Sequence, residues 1–333
     1  MPQQRVLTLI APKIAPALAQ AAGEETARWP ELAKLAGRGS VRALELSARD
    51  MSRWQLTLLE RLGLGSEPAR YPVAAVLRSG DEGRRAEGFW MQATPMHWLA
   101  GLDTLDAVRL EGESAIERSE REQLFEPIAG HLGSAGLELV KASSGEWLVR
   151  SERAWEVLTT SPETASAGPL EEAMPRGRDS VPLERLMTEL QMILHEHPVN
   201  TSRARRGMPE VNAIWLHGVG SLSELPERAL PDAFGDELYL RGLYAVHGQR
   251  VQALPGDAAG LVAAMRKEAI AVLDTEYLDE LERRWLAPLR RALSRGALAQ
   301  VDLVLGRWLV RVRRGALLKF WRKGRAPAQW ASC

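Results

Sequence analysis

Cysteine is almost absent from this sequence, and so is net charge. The single cysteine, Cys333, is the last residue, so no disulfide can form within the chain and nothing indicates an oxidising compartment. The 43 basic and 43 acidic residues cancel, so no overall field draws the protein to nucleic acid or to an anionic membrane. No apolar run approaches the roughly 20 residues of a membrane-spanning helix, and the N-terminal apolar stretch is too short for a secretory signal. We therefore expect a cytoplasmic protein with no membrane association.

Phenylalanine and tyrosine are also scarce, with four of each against eleven tryptophans. Most tryptophans lie among leucines, which favours a role in the core over ligand stacking. A composition of 45% apolar and 26% charged residues is typical of a globular protein, and 333 residues suffice for two domains or one large α/β unit. The Pro-, Ser- and Gly-rich stretch 159–180 predicts a linker or surface loop between halves at 1–158 and 181–333.

Strands alternate with helices through the second half of the chain. The periodicity predicts helices over 183–194, 238–248 and 257–273, and a terminal hairpin around Gly306. In the first half, 73–77 and 88–92 are short apolar runs that we interpret as paired strands. These patterns predict an α/β fold with a mostly parallel sheet flanked by helices, and a mixed α+β N-terminal half.

The stretch from His195 to Gly220 concentrates polar residues in a connector and the strand after it. Arginine and asparagine side chains followed by a glycine turn could bind a phosphate or carboxylate, because glycine lets backbone amides approach an anion. The alternative is a tight turn with solvated arginines. The candidate ligand-binding residues are Asn200, Arg203, Gly207, Asn212, Gly218 and Gly220, with His97, His217 and Arg241 as secondary candidates.

The histidines do not form a metal-binding pattern. His195 and His197 lie two residues apart, so on a helix they point in nearly opposite directions. No cysteine accompanies them, and His-x-His alone is a weak zinc signal. We expect neither a metal site nor a cofactor, and the sequence identifies no catalytic residue.

Two segments carry a family resemblance. The run 192–220, with Asn200, Gly207-Met208-Pro209 and a strand ending in Gly218-Val219-Gly220, resembles the archaeal-type cofactor-independent phosphoglycerate mutases. The segment 254–260, Leu-Pro-Gly-Asp-Ala-Ala-Gly, is similar to the next conserved element of those enzymes. The resemblance implies an alkaline-phosphatase-like α/β fold and a site that uses two metal ions and a phosphorylated serine.

A second resemblance, to the RpfE-type bacterial regulatory proteins, covers almost the whole chain. It includes Ala93, Pro95 and His97, and the ending at 318–322, Leu-Lys-Phe-Trp-Arg. That family carries Arg and Asp where this chain has Gln92 and Thr94, and the change removes a cation and a carboxylate. This resemblance implies a regulatory protein related to the mutases.

The residues that the mutases use to hold metal ions are replaced. After the first strand, where they carry Asp-Gly, this chain has Pro12-Lys13, and 285–291 contains neither the His nor the Asp of their Asp-Glu-Ala-Gly-His element. We therefore predict a non-catalytic, regulatory protein that binds a small phosphorylated or carboxylated ligand or a protein partner. A mutase or related phosphotransferase with a rearranged site is the alternative.

The C-terminal stretch 307–325 is strongly basic. It holds eight basic residues and no acidic one, interleaved with Trp308, Phe320 and Trp321. This pattern is compatible with nucleic-acid binding through phosphate contacts and stacking. The alternative is the solvated face of a hairpin followed by a final amphipathic helix, which the zero net charge and the absence of a nucleic-acid-binding motif favour.

Overall fold

The computed structural model describes residues 5–21, 28–45, 48–101, 104–225, 228–319 and 321–332. The strands are β1 (Val6–Ala11), β2 (Ser40–Ala43), β3 (Phe89–Ala100), β4 (Leu105–Arg109), β5 (Leu137–Lys141), β6 (Trp147–Ser151), β7 (Val157–Leu158), β8 (Arg176–Gly177), β9 (Ala213–Gly220), β10 (Asp232–Phe234), β11 (Glu268–Val272), β12 (Gln300–Leu305) and β13 (Trp308–Arg313).

The helices are α1 (Ala15–Ala21), α2 (Pro30–Arg38), α3 (Arg53–Arg61), α4 (Val73–Glu82), α5 (Arg118–Ser134), α6 (Pro162–Ala165), α7 (Leu170–Ala173), α8 (Ser180–His195), α9 (Pro198–Arg205), α10 (Leu238–Val246), α11 (Ala258–Ala264), α12 (Leu278–Glu280) and α13 (Ala287–Arg295). A π-helical segment, Leu281–Leu286, joins α12 to α13. Among the described helices, none is both long and apolar enough to cross a membrane.

The chain folds into two compact units. The first, here the parallel unit, comprises Met1–Glu45, Arg53–Ser66 and Glu227–Cys333. The second, the antiparallel unit, comprises Leu46–Ser52 and Glu67–Pro226. The chain therefore passes from one unit to the other four times.

This division differs from the expected halves at 1–158 and 181–333. The stretch 159–180, expected to be a linker, lies inside the antiparallel unit and forms α6 and α7. Its composition resembles a linker because small polar residues fill it, but Thr159, Thr160 and Ser161 are buried. Their hydroxyl groups make hydrogen bonds inside the protein, which composition alone does not reveal.

A six-stranded sheet forms the centre of the parallel unit, in the order β10-β11-β1-β12-β13-β2. The first four strands are parallel, and β13 and β2 add antiparallel partners at one side. The predicted hairpin at Gly306 is confirmed as the β12–β13 connection. The prediction of an α/β fold with a mostly parallel sheet is confirmed here.

Helices cover both faces of this sheet. On one face Leu7 and Leu9 of β1 pack in a core shared with α1, α2, α11 and α13. The opposite face carries the fully buried Asp302 of β12, which binds Arg61 of α3 and Arg311 of β13, each at 2.8 Å. The central strands β1 and β11 are largely apolar on both faces because both faces are covered.

The antiparallel unit is built on β3, a strand of 12 residues. β9 pairs along one edge of β3, and β4 and β6 share the other edge, with β5 beyond β6. α5 and α8 contribute Leu124, Ile128, Leu183 and Leu190 to its core. The helix predicted over 183–194 is confirmed as α8, and the mixed α+β character expected for the N-terminal half belongs to this unit.

Two apolar segments were assigned wrongly from sequence. The run 73–77, predicted as a strand, forms the first turns of α4, because a short apolar run bounded by Pro72 fits a buried helix as well as a strand. The segment 257–273, predicted as one helix, is α11 followed by the strand β11. The alanine-rich sequence continues the helical pattern, but β11 is drawn into the sheet between β10 and β1.

The zero net charge of the chain is divided unequally between the units. The parallel unit holds 26 basic and 17 acidic residues, and the antiparallel unit holds 17 basic and 26 acidic residues. Their formal charges are therefore +9 and −9. A field that is absent from the whole chain exists in each unit separately.

Candidate functional site

The stretch that looked most like a ligand site lies in the antiparallel unit, over the end of α8, α9 and β9. Asn200 of α9 is buried, and its side chain donates to the carbonyls of Leu194 and Val211 at 2.8 and 2.9 Å. Its amide oxygen accepts from the Val211 backbone at 2.8 Å. Asn200 therefore ties the end of α8 to the start of β9.

Arg203 is fully buried and makes structural contacts through its whole guanidinium group. It donates to the carbonyls of Pro209 and Ser114, each at 2.7 Å, and to the Glu120 carboxylate at 2.8 Å. Burial pushes the pKa of Glu120 up, but hydrogen bonds from the Glu117 backbone and from Arg203 outweigh it, so the pKa lies below its usual value. Arg203 and Glu120 form a buried ion pair that locks α9 to α5.

Asn212 and His97 fix the junction between β9 and β3. The Asn212 side chain accepts from the Trp98 backbone amide at 2.6 Å and donates to its carbonyl at 2.9 Å. The His97 Nδ1 atom lies 2.9 Å from the Glu210 carbonyl. Gly207, at φ +69°, ends α9 with open space around its Cα, as a helix C-terminal glycine does.

The glycine turn after β9 does bind a carboxylate, and the carboxylate comes from the same chain. The Gly218 backbone, at φ +65°, donates to Asp50 Oδ1 at 2.9 Å, and the Thr159 hydroxyl donates to the same oxygen at 2.8 Å. A side chain at Gly220 would collide with Pro72. Burial raises the pKa of Asp50 despite these hydrogen bonds. The turn thus anchors the segment 48–52 to this unit.

His217 lies next to this turn in a dry environment. Its Nε2 atom is 2.9 Å from the Thr94 hydroxyl, and its Nδ1 atom is buried with no hydrogen-bond partner among the described residues. Burial lowers the pKa of His217 to about 3, so the imidazole is neutral at physiological pH. Trp215, the tryptophan closest to the expected site, is fully buried and donates to the Thr160 carbonyl at 2.6 Å.

Eight of the nine candidate residues thus belong to the antiparallel unit, where hydrogen bonds within the fold engage the candidate side chains. The ninth, Arg241, lies on α10 of the parallel unit and pairs with Asp236 at 3.1 Å. Binding of a ligand by the stretch 195–220 stays a prediction.

The carboxyl edge of the parallel sheet carries charged groups at three successive strand ends. Asp236 follows β10, Asp274 follows β11, and Lys13 follows β1. Lys13 Nζ lies 2.7 Å from Asp274 Oδ1, and the two side chains are 57% and 77% exposed. Open α/β sheets bind ligands at this edge. Sequence reasoning missed Asp274, although an acidic residue directly after a buried apolar strand was a signal for it.

These residues do not fit the pair of metal ions that the mutase resemblance implies. Within the described ranges, no three His, Cys, Asp or Glu side chains come together closely enough to hold a metal ion. An ammonium group, Lys13, stands after the first strand in place of a carboxylate ligand. The segment 285–291, which corresponds by resemblance to the mutase element with Asp and His, contains neither residue type. It is helical. A two-metal site needs a cage of anionic and imidazole ligands, which this edge does not supply.

Sequence comparisons relate the chain to known enzymes. No protein-family profile matches it. A 2,3-bisphosphoglycerate-independent phosphoglycerate mutase of Methanothrix thermoacetophila is 30% identical over 154 residues, which cover 45% of this chain and 34% of that protein. The mutase of the same name from Methanosarcina barkeri is 25% identical over 276 residues, covering 77% of this chain and 66% of that protein. The chain is therefore related to the archaeal-type cofactor-independent phosphoglycerate mutases, although it spans about a third of one relative and just under two thirds of the other.

Solved structures give a weaker likeness. A cofactor-independent phosphoglycerate mutase from Thermoplasma acidophilum has a TM-score of 0.43 at 14% identity, over 98% of this chain and 95% of that one. A Pyrococcus horikoshii protein has a TM-score of 0.45 at 14% identity, over 98% and 92% of the two chains. Scores this low add nothing to the sheet topology described above, and the relation to the mutases rests on sequence.

Proposed function

We propose that this protein is a non-catalytic relative of the phosphoglycerate mutases that binds a small phosphorylated or carboxylated ligand at the carboxyl edge of its parallel sheet. The observation that carries this proposal is the exposed Lys13–Asp274 pair, which has an ammonium group after the first strand. A regulatory role follows from the resemblance to the RpfE-type proteins. A protein partner remains the second kind of ligand that this resemblance implies.

The chemistry of the edge suits an anion. Lys13 follows β1, and Asp236, which binds Arg241 of α10, follows β10, so the two ion pairs lie at strand ends on either side of β11. Each cation is paired with an exposed carboxylate, Asp274 or Asp236, which a ligand oxyanion could replace. The surplus of basic residues in this unit also raises the local concentration of anions.

Titration calorimetry with 3-phosphoglycerate, and separately with inorganic phosphate, tests this proposal. We expect Lys13→Met and Arg241→Met each to weaken binding about tenfold, since each loses one charge-assisted contact. Arg178→Met, which removes an exposed arginine of the antiparallel unit, is the matched control and should bind as the wild type does. Absence of binding in the wild type, or equal effects of all three variants, would overturn the proposal.

A second candidate is mutase activity through a rearranged site. The observation in its favour is the 30% identity over 154 residues to a protein named as a mutase. The test is interconversion of 3- and 2-phosphoglycerate by the purified protein, with and without added Mg²⁺ or Mn²⁺, together with its metal content. Turnover that depends on a bound divalent ion would replace the non-catalytic proposal. Metal-free, inactive protein that still binds 3-phosphoglycerate would support it.

A further inference from the structure

The sheet of the antiparallel unit ends in β5, whose outer edge has unpaired backbone groups. β5 bonds to β6 on one side only. The Ala142 backbone donates to the Glu146 carbonyl at 2.9 Å, which fixes how the hydrogen bonds alternate along this hairpin. The backbone N–H and C=O groups of Leu137, Leu139 and Lys141 therefore point away from β6. Among the residues that the structure describes, none bonds to these groups.

The other outer strands of this sheet, β9 and β4, are bonded to neighbouring segments. On β9, the Gly218 backbone donates to the Asp50 carboxylate at 2.9 Å. On β4, Asp106 forms an isolated backbone bridge with Pro169. β5 is thus the strand of this sheet to which another extended chain can add, because an unpaired strand edge is a template for pairing.

A cleft of about 380 Å³ opens at the start of β5, between the end of α5 and the start of α8. Its apolar lining includes Leu137, Trp155 and Leu186. Polar groups line it as well, and among them the His131 and Glu189 side chains lie 3.0 Å apart. An apolar cleft with a few polar groups can accept a side chain of a strand that lies beside Leu137.

The side chains of β5 select the pattern of an added strand. Leu137 and Leu139 are buried on one face, and the Glu138 side chain, on the other face, is 64% exposed. Cross-strand neighbours share a face, so an added strand would place apolar side chains beside the leucines and a polar one beside Glu138. Arg150 lies 3.7 Å from the Glu138 carboxylate, beyond hydrogen-bond distance, so a second cation can bond to it.

Charge favours a basic partner over a second copy of the same edge. The antiparallel unit carries a formal charge of −9, which raises the local concentration of cationic segments. A second copy would bring a unit of the same negative charge to the edge. The occupant that fits is therefore an extended segment with basic residues.

We propose that β5 binds an extended peptide in which apolar and basic residues alternate, by adding it to the sheet as a further strand. The peptide backbone bonds to Leu137, Leu139 and Lys141, as in other cases of strand addition. An apolar side chain enters the cleft, and a basic side chain meets Glu138. The pairing is antiparallel, as it is throughout this sheet. The site lies in the antiparallel unit and does not depend on ligand binding at Lys13.

Fluorescence anisotropy with the labelled peptide acetyl-Lys-Val-Lys-Val-Lys-Leu-Lys-amide tests the proposal on the full chain. In antiparallel register its leucine lies opposite Leu137, at the cleft, and a lysine lies opposite Glu138. N-methylation at the two valines and the leucine removes the donors that face β5, so it should weaken binding at least about tenfold. N-methylation at the last three lysines is the matched control. It alters amides that face away from β5 and should leave binding unchanged.

Two further changes test the side-chain contacts. Replacement of the peptide leucine by alanine should weaken binding about tenfold, because less apolar surface enters the cleft. Glu138→Lys should weaken binding about threefold, since like charges then face each other across the strands. Glu171→Lys makes the same change of charge at an exposed position of α7 and should bind more tightly than Glu138→Lys.

Four outcomes would overturn the proposal. They are no binding of the unmethylated peptide, equal effects of the two methylation patterns, equal affinity of the leucine and alanine peptides, and equal effects of Glu138→Lys and Glu171→Lys. Sedimentation velocity of the chain with and without the peptide adds a fifth test. A dimer that excludes the peptide would assign the β5 edge to a second copy and would overturn the proposal as well.

Discussion

The candidate binding residues of the two units have different kinds of partner. In the antiparallel unit, Asn200, Arg203 and Asn212 bind backbone groups of the same unit, and the glycine turn binds the Asp50 carboxylate. In the parallel unit, Lys13 and Arg241 pair with exposed carboxylates at the sheet edge. A polar cluster is therefore a poor guide to a binding site unless its hydrogen bonds are accounted for. Lys13 and Arg241 differ from Asn200, Arg203 and Asn212 because their partners are exposed carboxylates that a ligand could replace.

The largest effect should come from the buried ion pair. Arg203→Ala leaves the Glu120 carboxylate buried without its main cation and removes the donor to two carbonyls, so we expect a loss of about 3–5 kcal/mol in the free energy of unfolding. Arg206→Ala removes a half-exposed partner of the same carboxylate and should cost less than about 1 kcal/mol. Urea unfolding measures both. Equal losses would mean that burial does not distinguish the two arginines.

Hydrogen exchange on Arg203→Ala also tests whether the units are independent. Protection should fall in β3 and β9 and stay unchanged in the parallel sheet of β1, β11 and β12, if each unit unfolds separately. Uniform loss of protection would show that the units unfold as one. In that case the two units would not differ in their free energy of unfolding.

The next effect is a pH dependence confined to the antiparallel unit. The unfolded imidazole of His217 takes up a proton near pH 6.5, whereas the folded one takes it up only near pH 3, so acid in that interval favours unfolding. Between pH 6.5 and 5 we expect the wild type to lose about 2 kcal/mol more than His217→Gln, from the usual 1.4 kcal/mol per pH unit. Unfolding curves at both pH values test this. Parallel pH profiles for the two proteins would contradict it.

A smaller effect separates two glycines with similar backbone conformations. Ala at Gly218 or Gly207 meets a positive φ, which costs about 1–2 kcal/mol. At Gly218 the new methyl group would also lie 3.0 Å from the Val73 Cβ, whereas Gly207 faces open space. We therefore expect Gly218→Ala to be less stable than Gly207→Ala by about 1 kcal/mol or more. Thermal unfolding of the two variants gives the comparison. Equal midpoints would show that the contact with Val73 does not destabilise Gly218→Ala.

The smallest effect on stability is expected where the proposed ligand site lies. Lys13→Met breaks an ion pair whose members are more than half exposed, so it should change the free energy of unfolding by less than about 1 kcal/mol. A larger loss, measured by urea unfolding, would place Lys13 with the structural residues of the other unit. A small change in the free energy of unfolding, together with weaker binding of 3-phosphoglycerate, would show that Lys13 serves binding rather than stability.

Periodicity was sufficient for the long elements of the fold. α8, α10 and the β12–β13 hairpin follow from apolar spacing and from a glycine at the turn, and so does the mostly parallel sheet. The short apolar run 73–77 did not reveal its type, because burial on all sides removes the polar residues that mark a period. The two-unit division was hidden as well, since each unit combines segments that are distant in the chain.

The candidate site was harder to predict for a related reason. An anion was expected at the Gly218 turn, but the carboxylate that binds there belongs to Asp50, 168 residues away, and no local pattern connects them. Lys13 and Asp274 are likewise far apart in sequence and meet because β1 and β11 pair in register. Spacing along the chain identifies groups capable of binding an anion. Only the fold determines which of them are already engaged.

The interrupted path of the chain has a consequence for how it is made. β1 is translated before the antiparallel unit, but its two neighbours, β11 and β12, are translated only after the whole of that unit. The antiparallel unit can complete its own sheet during synthesis, whereas the apolar strand β1 stays unpaired until β11 and β12 have been made. Such a strand is prone to aggregate. We expect nascent chains that end before β11 to depend on chaperones that shield the first strand.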